Sequence, residues 1–463
     1  MCGIAALSLK SGNAVPEVVK MLLALQHRGQ ESAGISFISS SLNVYKGFGL
    51  VQDVFKGFNP FRISSSAVIG HVRYSTTGSG GDIYEVQPFL TDVSGRMFSI
   101  AFNGNIVNHN SIRRELLRNS VFKTETDTET ISLLIARNLV DEGFDYVEAL
   151  RKSMDVLDGA YSLILIADDG CIAAARDPYG FKPLSYGSLD NGFTVASESV
   201  AIECIGGLHL GDVNPGEILV LSGGEVVERV KACSSFRKAM CMFEFVYFSR
   251  PDSVINGRLI HEVRKNLGKA LYRIKPVRAD LTSPVPDSGR SSALGFSEES
   301  GIPFEEAIMR NRYIGRTFIL PESNSRRSAV ELKFHVVRRL VEGRRIVVVD
   351  DSIVRGVTLT RIVPLMKSRG CREVHVRIAC PPIIYPCFMG IDFPTERELV
   401  ASRHSVEEIR EIINADTLTY NSVENLCSGI GLSQGDLCLA CLTGKYPLKS
   451  SYNYVELQKL FGG

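Results

Sequence analysis

Arg345-Ile346-Val347-Val348-Val349-Asp350-Asp351-Ser352-Ile353-Val354-Arg355-Gly356-Val357-Thr358 decides how the second half of this chain folds. The apolar, β-branched run at its start has the composition of a strand buried on both faces. It ends in two acids, and a glycine-containing loop then enters a helix at residues 359–368. Adjacent carboxylates at the carboxyl end of a strand can bind ribose hydroxyls or a metal ion. The loop and helix N-terminus behind them present backbone N–H groups to a phosphate. Outward from this stretch, a further apolar strand (residues 373–379) alternates with helical spacing at residues 257–271 and 329–341. That alternation predicts an α/β doubly wound parallel sheet.

Before about residue 232 the pattern differs. Short β-branched or aromatic runs recur at residues 36–38, 67–71, 98–102, 161–167, 171–176, 192–197 and 217–221, divided by glycine and aspartate turns. They predict antiparallel sheet. Residues 18–25, 128–138 and 147–157 carry helical apolar spacing, and Gln26-His27-Arg28-Gly29-Gln30 reads as a polar turn. At 463 residues the chain is too long for one ordinary core. The boundary falls near residues 230–237, giving domains at 2–232 and 233–463.

A net charge of +1 gives no basic field for nucleic acid. No stretch approaches the roughly 18–20 apolar residues of a membrane span, and the opening lacks a basic targeting region. A soluble, cytoplasmic protein is expected. Eleven cysteines, with no secretory signal, argue against a disulfide framework. Free thiols buried as small hydrophobes are the plain alternative.

Cys2 stands directly behind Met1, and a small second residue lets an aminopeptidase remove the methionine. Cys2 would then carry a thiol and a free α-amine on one carbon. Such an amine titrates near ~7.7–8.0, so the residue brings its own base. A lone Met-Cys is usually chance. Here it is joined by Gly70-His71-Val72-Arg73-Tyr74-Ser75-Thr76, Phe102-Asn103-Gly104-Asn105-Ile106, Thr126-Asp127-Thr128-Glu129 and the turn at residues 26–30. Together these resemble the glutaminase domain of class II glutamine amidotransferases, N-terminal-nucleophile hydrolases built as a four-layer αββα sandwich. The resemblance implies that Cys2 attacks the glutamine amide while its α-amine carries the proton. Asn103 and the Gly104 N–H would form the oxyanion hole, where glycine permits close approach. Arg73 would hold the glutamine α-carboxylate, Asp127 its α-ammonium, and Arg28 would belong to the glutamine site by ordering its loops. Read singly, Asn103-Gly104 is also a common hairpin turn, and Arg73 and Asp127 could be surface charges.

Residues 345–358 in turn resemble the phosphoribosyl pyrophosphate (PRPP) loop of type I phosphoribosyltransferases. Phe245-Val246-Tyr247-Phe248-Ser249-Arg250-Pro251-Asp252-Ser253, Val285-Pro286-Asp287-Ser288-Gly289 and Asn311-Arg312-Tyr313-Ile314-Gly315-Arg316-Thr317-Phe318 extend the match. Nearly the whole chain then resembles the glutamine PRPP amidotransferases, which open purine synthesis by making 5-phosphoribosylamine. This implies a pyrophosphate loop at Asp287, Ser288 and Gly289. It implies Mg2+ around Ser288, Asp350 and Asp351, and a 5′-phosphate held by Ser352, Val354, Arg355, Gly356, Val357 and Thr358. Val357 departs from the usual threonine, so somewhat weaker PRPP binding is expected. Residues 322–328 would close over PRPP, or form a plain surface loop. Ammonia would pass internally from one site to the other. The family's homotetramer and its inhibition by AMP and GMP are expected as well.

Cys438-Leu439-Ala440-Cys441 alone could mean zinc, redox chemistry or nothing. Some family members carry a 4Fe-4S cluster, and Cys241, Cys387, Cys438 and Cys441 match its ligand positions, with a structural role. Those relatives often begin with a propeptide; here methionine removal alone would mature the enzyme. Two rivals remain. Another class II amidotransferase would not need the Asp350-Asp351 loop, and a PRPP-sensing regulator would not need Cys2.

Overall fold

The computed structural model describes all residues except 75–80, 119, 234–236, 312–333, 394, 451, 453 and 461–463. The expected PRPP-closing loop at residues 322–328 lies outside the described residues, as do Ser75, Thr76 and all but Asn311 of the run at residues 311–318.

Strict alternation in the N-terminal strands builds layers. In strand Gly3–Leu9, Ile4 and Ala6 enter one apolar cluster while Ala5 and Leu7 enter another. The same division repeats across a seven-stranded antiparallel sheet ordered Leu208–Asp212, Ser185–Leu189, Gly192–Ala196, Gly3–Leu9, Ala67–Arg73, Ser32–Ile38 and Leu42–Phe48. A six-stranded antiparallel sheet faces it, ordered Glu225–Lys231, Glu217–Ser222, Ile172–Arg176, Gly159–Ala167, Arg96–Ile106 and Phe89–Val93. Ile4, Ile69, Ala101, Ile164 and Leu219 fill the space between the sheets. Helix Val15–Ala24 covers the outer face of the first sheet, and helices Asp127–Asp141 and Tyr146–Val156 cover that of the second. Three apolar layers between four structural ones give the αββα sandwich.

The second half places Leu281–Pro284, Arg345–Asp350, Glu373–Ile378 and Thr417–Tyr420 side by side in a parallel sheet. Ile346, Val347, Val348 and Val349 are all fully buried, as a strand covered on both faces must be. Helix Ile260–Ile274 leads into the first of these strands, and helices Arg290–Ser300 and Leu359–Ser368 lie in the crossovers that follow. The helix expected at residues 329–341 is corrected in part. Among the described residues of this stretch, Phe334–Val336 is a strand paired with Ile308–Arg310 and Arg338–Val341 is helical. Apolar periodicity cannot separate a short strand from a helix when both are buried.

The halves meet through buried charge. Arg28, fully enclosed, donates to Glu198 at 2.5 Å, to Glu244 at 2.7 and 3.1 Å, and from Nε to the Cys2 carbonyl at 3.0 Å. Glu198 also accepts from the Arg250 amide and the Ser253 hydroxyl. Glu244 accepts from Ser249, and buried Arg264 ties the Phe245 and Ser249 carbonyls to helix Ile260–Ile274. The turn at residues 26–30 is therefore an interior joint. Its polarity serves partners rather than solvent.

Candidate active site

The first site forms where strand Gly3–Leu9 begins. Cys2, Arg73, Tyr74, Glu85, Gln87, Phe102, Gly104, Thr126, Asp127 and Thr128 line one narrow cleft. Four residues singled out in the sequence thus converge from four segments. Asn103 and Gly104 lie inside strand Arg96–Ile106, opposite Ser162 and Tyr161, so the hairpin-turn reading fails. A Cβ at Gly104 would stand 1.9 Å from the Ala160 carbonyl oxygen, so only glycine fits. Asn103 Oδ1 accepts the Cys2 N–H at 3.1 Å. That contact orients its Nδ2, which is buried and meets no acceptor among the described residues. An orphaned buried donor beside a thiol is costly unless it has a role.

Arg73 is nearly buried and donates to the Glu85 carbonyl at 3.0 Å and its carboxylate at 3.3 Å. Asp127 opens helix Asp127–Asp141, whose N-cap Thr126 accepts from the Glu129 amide. Arg28 does not face the cleft; it holds the Cys2 carbonyl from behind. Sequence motifs missed Glu85 and Gln87. Gln87 accepts from the Phe102 amide at 2.7 Å and donates to Thr128 at 3.0 Å, joining two cleft walls. Met1 is itself buried, and Lys182, fully enclosed, donates to its sulfur at 3.0 Å. Burial lowers the Met1 amine to about 6.

The second site lies at the carboxyl end of the parallel sheet. Ser352 donates to the Asp351 carboxylate at 2.5 Å, and Ser288 works to lower the Asp351 pKa. Burial pushes Asp350 and Asp351 above the usual carboxylate range, and Asp351 adds to the rise at Asp350. Gly289 sits so close to this strand that a Cβ would come 2.4 Å from the Val349 oxygen. Behind the acids, Gly356 adopts φ +75°, and Thr358 precedes helix Leu359–Ser368. Among the described residues the amides of Val354, Arg355, Gly356, Val357 and Thr358 meet no backbone acceptor. Arg355 is held by Glu398 at 2.5 Å, and Val357 is half-exposed.

The third feature is the cysteine quartet. Met240–Cys241 pairs in parallel with Leu437–Cys438, setting Cys241 directly beside Cys438. The Ile384 and Tyr385 amides donate to the Cys441 carbonyl, bringing up Cys387, whose sulfur accepts the Met389 amide at 3.3 Å. Burial raises the Cys241 thiol to about 11 and Cys441 far above its usual value; Cys387, Cys438, Cys380 and Cys241 all raise Cys441 further. Cys380, outside the motif positions, thus stands nearby. Among the described residues no three His, Cys, Asp or Glu side chains are close enough to hold one metal ion. A four-iron cluster does not need that closeness, because each thiolate binds a different iron.

Residues 73–204 match the glutamine amidotransferase domain, and residues 298–382 the phosphoribosyl transferase domain. The chain is 45% identical to the amidophosphoribosyltransferase of Archaeoglobus fulgidus, covering 97% of this chain and 98% of that one. The chain belongs to the amidophosphoribosyltransferase family. The Bacillus subtilis member is 44% identical over 92% of this chain and 90% of its own. A solved structure of the B. subtilis glutamine PRPP amidotransferase, complexed with ADP and GMP, superposes with a TM-score of 0.91 at 41% identity. It covers 98% of this chain and 100% of that one. Amidophosphoribosyltransferases so similar over their full length share both domains with this chain, in the same order.

Proposed function

We infer that this chain transfers the amide nitrogen of glutamine to PRPP, giving 5-phosphoribosylamine, glutamate and pyrophosphate at the first step of purine biosynthesis. The observation that carries the residue-level reading is the cleft that gathers Cys2, Arg73, Gly104 and Asp127, with the free Asn103 Nδ2 beside it.

The glutaminase unit spans residues 2–232 and the transferase unit 233–463. After Met1 is removed, the Cys2 α-amine takes the thiol proton as sulfur attacks the glutamine amide carbon. Asn103 Nδ2 and the Gly104 amide receive the oxyanion. The amine returns the proton to the leaving nitrogen, ammonia departs, and water cleaves the thioester to glutamate. Arg73 and Asp127 hold the α-carboxylate and α-ammonium; Arg28 positions Cys2 from behind. Ammonia moves internally to the second site and displaces pyrophosphate from the anomeric carbon. The amides of Val354, Arg355, Gly356, Val357 and Thr358, with Ser352, hold the 5′-phosphate. Asp287, Ser288 and Gly289 face the pyrophosphate. Ser288, Asp350 and Asp351 would hold Mg2+, which when bound would supply positive charge against the departing pyrophosphate. Cys241, Cys387, Cys438 and Cys441 hold one 4Fe-4S cluster that fastens the C-terminal segment. Purine nucleotides such as AMP and GMP inhibit, the assembly is a homotetramer, and the enzyme is cytoplasmic. Glutamine-dependent pyrophosphate release, lost in Cys2→Ala while ammonia-dependent release persists, is the expected result. Loss with both nitrogen donors would contradict the assignment of Cys2.

A further inference from the structure

A braced loop of the glutaminase half, residues 177–182, lies against the cysteine quartet of the transferase half. Asp177 is fully buried and accepts the amides of Tyr179, Gly180 and Phe181 at 2.8, 2.7 and 3.1 Å. Arg176, also enclosed, donates to the Lys182 carbonyl at 2.7 Å and to the Gly180 carbonyl at 2.9 Å. On the other side of the loop, the Ala239 amide donates to the Tyr179 carbonyl at 2.8 Å and the Cys241 amide to the Phe181 carbonyl at 3.1 Å. Lys182 is thereby fixed next to Cys241, and it is completely buried. Among the described residues its ammonium has one hydrogen-bond acceptor, the Met1 sulfur at 3.0 Å, and no carboxylate partner. Met1 in turn belongs to the same apolar cluster as Met240, Cys241, Met242 and Phe243. Burial raises the Cys241 and Cys438 thiols, and the positive charge of Lys182 opposes that rise at both.

We propose that Lys182 is the counter-ion of the 4Fe-4S cluster, an ammonium that the glutaminase half places against the cysteine site of the transferase half. The inference rests on the cluster reading above. A buried ammonium held only by a thioether is costly, because the sulfur is a weak acceptor and carries no charge. Removal of Met1 takes away even that acceptor. Two buried carboxylates of this region are already engaged, Glu244 by Arg28 and Ser249, and Asp177 by backbone amides. The cysteine quartet supplies what is missing. Four thiolates outweigh the positive charge of an iron–sulfide core, so the assembled group is an anion enclosed away from water. It needs a cation as much as Lys182 needs an anion. Pairing satisfies both, and a charged donor beside the sulfurs favours the assembled, thiolate-bound state. The cluster then has a second task besides fastening the C-terminal segment: it neutralises a charge at the seam between the two halves.

The test uses anaerobically purified holoenzyme whose lysines carry a magnetic nitrogen isotope at Nζ, with the cluster reduced by irradiation in the frozen state. Electron–nuclear double resonance of the reduced cluster then reads the nitrogens beside it. Wild type is expected to show coupling to a labelled nitrogen. Lys182→Arg keeps the charge but not the label, and should lose that coupling while keeping its cluster. Iron release to a chelator in air is the second readout. It should be at least about fivefold faster in the uncharged Lys182→Met, and within about twofold of wild type in Lys182→Arg. No coupling in wild type, coupling that survives Lys182→Arg, or iron release from folded Lys182→Met at the wild-type rate would each overturn the role of Lys182. Should Lys182→Met not fold, the spectra of wild type and Lys182→Arg decide the matter alone. Folded wild type without iron, sulfide or absorption near ~400 nm would overturn the cluster reading instead, and the counter-ion with it.

Discussion

At the residue scale the chemistry of the first site depends on how few choices Asn103 and Gly104 have. Asn103 spends its oxygen on the Cys2 N–H, which leaves Nδ2 buried and without an acceptor among the described residues. Asn103→Ala should lower glutamine-dependent kcat by about 10²–10³ while ammonia-dependent turnover holds, measured as pyrophosphate release with each nitrogen source. Gly104→Ala sets a methyl group against the Ala160 oxygen and should damage the sheet itself. Loss of its thermal transition, as well as of activity, would show this. Met1 sits in the core with its amine enclosed, so the methionine removal proposed above would have to precede closure of the halves over it. Folded protein that still carries Met1 should release no glutamate, and added aminopeptidase should not restore it. Intact mass against glutaminase rate checks both statements.

At the scale of elements, the segment Gln26–Arg28 acts as a joint rather than a surface turn. Glu198 is fully buried. Burial works to raise its pKa, but His27 and Arg28 overcome it and hold Glu198 far below its ordinary value of 4.5. A carboxylate depressed in the folded state contributes stability that is complete above its unfolded pKa. That stability drains away as pH falls below about 4.5 toward the folded value. Thermal denaturation at pH 6 and pH 3 should show a larger loss for wild type than for Glu198→Gln. At pH 7, Arg28→Met leaves Glu198 and Glu244 without their guanidinium and should cost about 3–5 kcal/mol in urea denaturation. These pairings join residues 28, 198 and 244, distances along the chain that no local motif spans. By contrast, the parallel strand at Arg345–Asp350 and the cleft residues Cys2, Arg73 and Asp127 were legible, because local composition and motif order carry them. Glu85, Gln87 and Lys182 were not: a lone polar residue announces nothing until folding gives it a partner. The sequence reading of residues 329–341 as one helix failed for a related reason, since a three-residue buried strand has no period of its own.

At the scale of the whole molecule, residues 380–393 link three features. The Cys380 amide donates to the Asp351 carbonyl at 2.8 Å, Cys387 joins the quartet, and Asp392 reaches Tyr74. If the quartet holds the proposed cluster, its loss should therefore be felt at both sites. Cys387→Ser, purified anaerobically, should lose absorption near ~400 nm together with PRPP-stimulated glutaminase; full colour and full stimulation would remove the cluster from this account. The proposed internal transfer would account for both activities in one chain: ammonia in open water becomes protonated and ceases to be a nucleophile, so release would wait for an acceptor. The central claim is this dependence. The most direct measurement follows glutamate and pyrophosphate together, from anaerobically purified enzyme given glutamine and magnesium, with and without PRPP. The account predicts one pyrophosphate per glutamate with PRPP and a strongly reduced release of glutamate without it. Equal glutamate release in the presence and absence of PRPP would contradict it.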